Sequence, residues 1–169
     1  MINGAKYKLS HKKTQTTPSQ SCDSLQDHHK WIQDIENYAN GLKVNFPIIA
    51  GQDRKVAQLY GMIDNLDPTN INNQGLPMTV RSVFFISPDK KIKCIITYPA
   101  STGRNFDEVL RIVDSLKLAP EKKLATPVDW KAGEKACVLP FVKDEEANEI
   151  FGAENVEKRF EYLRFAKNY

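Results

Sequence analysis

Long apolar runs are missing from this 169-residue sequence, whose longest strand-like run covers only residues 83–86. A helix that crosses a bilayer needs about 18 or more consecutive apolar residues. We therefore expect no membrane partner. The first residues also lack the hydrophobic stretch of a secretory signal, so a secreted protein is not expected either.

Cysteine is scarce as well. The three cysteines, Cys22, Cys94 and Cys137, lie far apart, and no Cys-X-X-Cys pair occurs. An odd number at wide spacings argues against a disulfide framework or a zinc site and favours a reducing compartment. His28 and His29 are adjacent, so they point to different faces of a helix and cannot chelate a metal together. The sequence predicts no metal site and a cytoplasmic location.

Acidic residues are absent from residues 1–22, which hold four lysines. The formal net charge of the whole chain is only +3, which gives no argument for a nucleic-acid partner. A leader rich in lysine, serine and threonine is typical of mitochondrial transit peptides, so a mitochondrial location is the alternative. Because residues 1–20 show no hydrophobic period and contain Pro18, we expect a disordered or non-homologous leader there.

Ordered elements are expected from about residue 21 onward. Apolar residues at helical spacing predict a helix over residues 24–40, with Asp23 as its N-cap. Residues 46–49 are a candidate for a short buried strand. Asp53 is expected to cap a second helix. The residues expected to be buried in that helix are Val56, Leu59 and Tyr60.

The middle of the chain predicts a β-hairpin followed by a helix. The segment "SPDKK" at residues 87–91 forms a turn with proline at the position whose φ it presets, and β-rich runs flank it. Asn105, with Glu108 three residues later, predicts the start of a helix that ends before Pro120. The residues expected to share one face of the second hairpin strand are Ile92, Cys94, Ile96 and Tyr98.

Several sequence blocks resemble a known family in their order and spacing. They are "FPII", "LYGMID", "TVRSVFFISPDKKIK", "TYPASTGRNFDEVLR", "LATPVDWKAGE" and "YLRF". They resemble the 1-Cys peroxiredoxins, the long-tailed branch of the thiol peroxidases, and their wording is closest to fungal members, many of them mitochondrial. The resemblance implies an α/β, thioredoxin-like (peroxiredoxin) fold over residues 21–120. Residues 121–169 would form a small C-terminal appendage that is associated with the dimer.

The resemblance also implies a function. Members of the family reduce hydrogen peroxide and organic hydroperoxides with a cysteine thiolate, and a glutathione or thioredoxin-type reductant resets the resulting sulfenic acid, without a cofactor. The Pro-Val-Cys-Thr-Thr-Glu segment that carries the peroxidatic cysteine in the family does not occur here. The fold is therefore expected to be N-terminally incomplete. A catalytically inactive peroxiredoxin-like module that acts by dimerisation is the alternative.

Two arginines are the candidate site residues. By block match, Arg81 and Arg104 correspond to the family arginines that stabilise the thiolate and the peroxide. Fixed guanidinium groups stabilise such negative charge, and the helix start beside Arg104 adds partial positive charge. The alternative is that either arginine merely pairs with an acid such as Asp107 or Glu108.

Cys22 is the candidate for a substitute thiol. It precedes a helix start, where the helix dipole favours a thiolate, although the neighbouring Asp23 opposes this. The alternative is a residue that only packs at a strand end. Cys94 is expected in the core or at a dimer interface, because the strand around Lys91–Tyr98 resembles the edge through which the family forms homodimers.

Overall fold

The computed structural model describes residues 18–169 as a mixture of helices and short strands. In chain order the elements are β1 Ser19–Ser21, α1 Leu25–Tyr38, β2 Ile48–Ala50, α2 Lys55–Leu59, β3 Arg81–Ile86, β4 Ile92–Tyr98, α3 Phe106–Lys122, β5 Leu124–Ala125, β6 Ala136–Val138, α4 Asp144–Phe151, a 3₁₀ turn Ala153–Asn155, β7 Val156–Phe160 and β8 Leu163–Ala166. Most of the leader that we expected over residues 1–20 lies outside the described residues. Its last two residues, Ser19 and Gln20, belong to β1.

The strands within residues 18–169 form three separate sheets. β1 and β2 run parallel, with Ser19 opposite Ile48, and β3 pairs with β4. The third sheet is antiparallel and has the order β5-β6-β8-β7. The chain divides into two compact units: the first runs to Ser82 and adds Thr97–Thr102, and the second comprises Val83–Ile96 and Gly103–Tyr169. The domain boundary expected at residue 120 stays a prediction.

The first helix begins one residue later than its sequence indicates. Ser24, not Asp23, is the N-cap, and its hydroxyl accepts a hydrogen bond from the Asp27 amide at 3.1 Å. The Asp23 carboxylate instead accepts a hydrogen bond from the Ser21 hydroxyl at 2.8 Å. A serine and an aspartate are equally good caps, so only this side-chain contact decides between them.

The second helix differs from its prediction in both its cap and its buried face. Arg54 precedes α2 with a left-handed φ of 59°, and the Asp53 carboxylate accepts a hydrogen bond from the Lys55 amide without capping the helix. Ala57 is buried in this short helix and Val56 is half-buried, whereas Leu59 is 82% exposed and Tyr60, which follows the helix, is 42% exposed. A helix of only five residues buries one narrow stripe of its surface, and Ala57 occupies that stripe.

The hairpin of β3 and β4 is confirmed. Its turn closes through the Ser87 amide, which donates to the Lys91 carbonyl at 3.0 Å, and the Ser87 hydroxyl bonds to Asp89. In β4, Cys94, Ile96 and Tyr98 alternate as half-buried positions, as expected. Ile92 does not share their burial, because it is 49% exposed at the start of the strand.

The start of α3 is confirmed and its end is corrected. The Asn105 side chain accepts from the amides of Asp107 at 3.0 Å and Glu108 at 3.3 Å. Pro120, however, lies inside the helix, which continues to Lys122. A proline removes one helical hydrogen bond, and the last turn tolerates this loss because Lys123 closes it in the left-handed conformation with a φ of 57°.

The second unit has a core between its antiparallel sheet and α4. Leu124 and Val142 are its largest fully buried side chains. The alanines that share this core are Ala136, Ala147 and Ala166. The last residue also packs there: the Tyr169 hydroxyl donates to the Glu134 carbonyl at 2.7 Å and accepts from Trp130 Nε1 at 3.2 Å.

Candidate functional site

The two candidate arginines occupy the ends of different elements. Arg81 is the first residue of β3 and is half-buried. Arg104 is exposed and directly precedes Asn105, the N-cap of α3. Arg81 belongs to the first unit and Arg104 to the second. Their shared role at one thiolate therefore stays a prediction.

The alternative for Arg104 is a simple ion pair with Asp107 or Glu108, and the contacts of Glu108 bear on it. Glu108 is held by another arginine, because Arg111 donates from Nε at 2.6 Å and from Nη2 at 2.8 Å to its carboxylate. The hydrogen bonds from Arg111 keep the pKa of Glu108 below its ordinary value. Of the two acids named as possible partners for Arg104, Glu108 thus already carries a two-point ion pair with a different guanidinium.

Cys22 lies in the bend between β1 and the cap of α1, and only 8% of its surface is exposed. Burial raises the pKa of this thiol above its ordinary value; the charge of Arg54 opposes the increase, and the charge of Asp23 adds to it. A hydrogen bond from Gln20 lowers the pKa slightly. A buried thiol with a raised pKa is mostly protonated at neutral pH and is a poor nucleophile.

Arg54 is the residue near Cys22 that sequence reasoning misses. Its Nε donates to the Pro77 carbonyl at 3.0 Å, and its Nη1 donates to the Gln52 carbonyl at 3.2 Å. Its Nη2 is buried and has no hydrogen-bond partner within residues 18–169. Because Arg54 and Pro77 are 23 positions apart, no local pattern in the sequence predicts this contact.

A second polar cluster is formed by Ser21, Asp23 and His28. His28 falls at helical spacing with the apolar residues of α1 in the sequence, and it is indeed only 4% exposed. Its contact with Ser21, whose Oγ lies 2.6 Å from His28 Nε2, has no signal in the sequence. The Ser21 hydroxyl donates to Asp23 Oδ2 at 2.8 Å. A hydroxyl has one proton, so Ser21 cannot also give that proton to His28. The arrangement therefore does not activate Ser21 as a nucleophile.

The other two cysteines are half-buried free thiols. Cys94 lies on β4, and Cys137 lies on β6, where burial raises its pKa and the charge of Lys135 partly offsets the increase. Across residues 18–169 no group of three or more histidine, cysteine, aspartate or glutamate side chains is arranged to hold a metal ion. In the same range no helix is both long and apolar enough to span a bilayer.

Fold and sequence together define the class of protein. The family model described as the AhpC/TSA family matches residues 7–95, more than half of the chain. Peroxiredoxin-6 of Gallus gallus is 53% identical over 135 residues, which cover 78% of this chain and 58% of the relative. The 1-Cys peroxiredoxin of Dictyostelium discoideum is 53% identical over 132 residues, which cover 78% of this chain and 51% of the relative. The chain thus spans a little over half the length of these curated relatives.

Solved structures agree with this assignment. A mutant Peroxiredoxin 6 of Arenicola marina superposes with a TM-score of 0.82 at 41% identity, covering 91% of this chain and 70% of that one. The yeast mitochondrial 1-Cys peroxiredoxin superposes with a TM-score of 0.78 at 42% identity, covering 90% and 70%. The α/β, thioredoxin-like fold predicted from the sequence is confirmed. The chain belongs to the AhpC/TSA family, and within it to the peroxiredoxins of the 1-Cys type.

Proposed function

We propose that this chain is part of a thiol peroxidase that reduces hydrogen peroxide and organic hydroperoxides. The observation that carries the proposal is the 53% identity to peroxiredoxins of the 1-Cys type over most of the chain. In the reaction a cysteine thiolate attacks one peroxide oxygen. The S–O bond forms as the O–O bond breaks, and the leaving oxygen takes a proton to become water or an alcohol. Two thiols then reduce the sulfenic acid, releasing water and a disulfide.

Arg81 and Arg104 are assigned to electrostatic stabilisation in this reaction. Negative charge spreads over sulfur and both peroxide oxygens in the transition state, and fixed guanidinium donors stabilise it without reorganising. Arg104 stands beside a helix start, whose amide groups contribute positive charge of the same sense. Both assignments rest on the family blocks "TVRSVFF" and "ASTGRNF".

The peroxidatic thiolate is assigned to a segment outside these 169 residues, because the Pro-Val-Cys-Thr-Thr-Glu motif does not occur among them. Cys22 is a poor substitute. Its burial and raised pKa leave little thiolate at neutral pH, and Arg54 only partly offsets this. These features favour its role as a packing residue at the end of β1.

Peroxide consumption tests the assignment directly. We expect the 169-residue chain with excess dithiothreitol to consume hydrogen peroxide no faster than buffer, and Cys22→Ser to leave that result unchanged. Fusing the unmatched amino-terminal portion of the Gallus gallus relative ahead of Ser19 should create turnover. In this fusion, Arg81→Ala or Arg104→Ala should lower turnover by about 10²–10³-fold, the usual effect of losing one oxyanion donor.

Arg159→Ala is the matched control in the fusion, because this guanidinium is 61% exposed and pairs only with Glu157 among the described residues. It should leave turnover unchanged. If the 169-residue chain did consume peroxide and Cys22→Ser abolished that activity, Cys22 would be the reactive thiolate instead. A folded but inactive fusion would favour the inactive module.

Reductant and compartment are proposed by analogy with a relative. The yeast mitochondrial 1-Cys peroxiredoxin resolves its thiol through glutathione and thioredoxin systems. We assign the same class of reductant here. We keep the cytoplasm as the proposed location and a mitochondrial one as the alternative, and the similarity to the yeast mitochondrial relative supports the alternative.

The second candidate function is a catalytically inactive module that acts by forming a homodimer. The favouring observation is the edge of β4: within the described residues its one strand neighbour is β3, so its other edge is unpaired. Ile92 and Ile95 on this strand are 49% and 50% exposed. An unpaired strand with exposed aliphatic side chains is suited to extending a sheet across a twofold axis.

Light scattering after size-exclusion chromatography tests the dimer. The chain should elute as a dimer, and Ile95→Lys should shift it to monomer, because a charge on an exposed strand edge opposes edge-to-edge pairing. The control is Leu59→Lys, which places the same charge on a residue that is 82% exposed in α2. An unchanged dimer in Ile95→Lys would remove β4 as the interface.

A further inference from the structure

The antiparallel sheet of the second unit has two different faces. The face that packs with α4 is fully buried at residues such as Leu124 and Ala166. On the opposite face, one row of half-buried residues crosses all four strands. In strand order its members are Ala125, Cys137, Phe165 and Glu157. This face therefore presents a partly apolar row that ends at a carboxylate on the edge strand β7.

Three cations converge on that carboxylate. Lys135 Nζ lies 3.3 Å and Lys167 Nζ lies 3.4 Å from Glu157 Oε2. Arg159 Nε lies 2.5 Å from Glu157 Oε1. Because both ammonium groups contact the same oxygen, they are no farther apart than about 7 Å, which is also the distance between alternate residues of an extended strand. The Lys135 ammonium is placed further by Phe165, since it lies 4.6 Å from the centre of that ring.

The cluster carries an excess of positive charge. A hydrogen bond from Lys135 keeps the pKa of Glu157 below its ordinary value, so this acid is ionised at neutral pH. One carboxylate cannot neutralise three cations, and within residues 18–169 none of the three pairs with another acid. Their side chains are 39%, 61% and 54% exposed for Lys135, Arg159 and Lys167. The N–H groups that Glu157 does not use are thus open to an anion from solution.

We propose that this face of the sheet binds an acidic peptide segment of a partner protein. Carboxylates on alternate residues of an extended segment are about 7 Å apart and match the spacing of Lys135 and Lys167. Arg159 offers a planar donor pair to a further carboxylate. The half-buried Cys137 and Phe165 supply apolar surface beside the charges. A polynucleotide fits less well, because its affinity depends on neutralising many phosphates and this cluster has three cations.

Two labelled hexapeptides test the charge requirement on the 169-residue chain: Glu-Thr-Glu-Thr-Glu-Thr and its counterpart Gln-Thr-Gln-Thr-Gln-Thr. Fluorescence anisotropy should show saturable binding of the acidic peptide and binding about tenfold weaker for the neutral one. Raising the salt concentration from about 0.05 M to about 0.5 M should weaken the acidic peptide about tenfold, because salt screens exposed charges. Tighter binding of a labelled oligothymidylate would identify nucleic acid as the occupant and overturn the proposal.

Charge variants locate the binding face. Lys167→Glu should weaken the acidic peptide about fivefold. The matched control is Lys117→Glu, which makes the same change in net charge at a lysine that is 49% exposed on α3, and it should have no effect. If Lys167→Glu does not fold, Lys167→Gln replaces it and should weaken binding about twofold.

Glu157→Gln separates recognition from a purely structural role of the cluster. It removes the acid that competes for the three cations, so the acidic peptide should bind about threefold more tightly. A cluster that serves only to hold the strands together would give no such gain. Equal binding of the two hexapeptides, an equal effect of Lys117→Glu and Lys167→Glu, or unchanged binding in Glu157→Gln would overturn the proposal.

Discussion

Replacing Arg164 with methionine is expected to destabilise the second unit by about 2 kcal/mol, since it removes charge-assisted hydrogen bonds of a buried guanidinium and leaves a carbonyl oxygen without its donor. The Arg164 side chain is only 6% exposed. It donates to Asp144 Oδ1 at 2.7 Å and to the Val142 carbonyl at 2.6 Å. These bonds tie the first residue of α4 and the loop before it to β8. Methionine fills the space but leaves the Val142 carbonyl without its donor.

Urea unfolding measures this effect. Trp130 is 3% exposed in the second unit, and Trp31→Phe leaves it as the single tryptophan, so its fluorescence reports on this unit alone. The matched control is Arg159→Met, because that guanidinium is 61% exposed in its pair with Glu157. It should change the free energy of unfolding by less than about 0.5 kcal/mol. Equal effects of the two substitutions would show that Arg164 is not a structural anchor.

Local signals in the sequence predict the features that depend on neighbouring residues. Asn105 caps α3 because its side chain reaches amides two and three positions ahead. The "SPDKK" turn closes within five residues. Such contacts are encoded in a short window, so pattern reading finds them. The same window does not separate Asp23 from Ser24 as the cap of α1, since both residue types suit that position.

Contacts between distant positions cannot be read from the sequence. Arg54 bonds to the carbonyl of Pro77, and Arg164 bonds to the carbonyl of Val142. The helical spacing of His28 agrees with its burial, but the spacing does not predict its contact with Ser21. The pattern predicts a helix end before Pro120, yet α3 extends past it to Lys122. In each case tertiary packing decides, and a single sequence carries no record of it.

Family blocks supply what neither a short window nor composition gives. The blocks around Arg81 and Arg104 indicate the peroxiredoxin fold, which the similarity to family members confirms. They also assign roles to both arginines, and these roles remain predictions. Family resemblance predicts the fold well because many residues along the chain contribute to the fold. The role of a site residue depends on one arrangement of atoms, and the Pro-Val-Cys-Thr-Thr-Glu motif that would define this arrangement does not occur in the 169 residues.

The core of the second unit is expected to respond strongly to Leu124→Ala. Leu124 is fully buried, and the cluster around it includes Val142 and Phe151. Truncating a buried leucine removes apolar contacts and leaves a cavity, which costs about 2–5 kcal/mol. We expect Leu124→Ala to lower the free energy of unfolding by about 3 kcal/mol. The neighbouring alanines of the cluster have side chains too short to fill the cavity. Trp130 fluorescence in urea, in the Trp31→Phe background, reports the change.

Leu116→Ala on α3 is the matched control, since Leu116 is 36% exposed in the same unit. It should cost less than about 1 kcal/mol, because much of its side chain is already in water. The slope of unfolding free energy against urea should stay the same in both variants, which would show that stability and not the unfolded ensemble has changed. If Leu124→Ala lowered the free energy of unfolding no more than Leu116→Ala does, the packing of the sheet against α4 around Leu124 would not be a main source of stability in this unit.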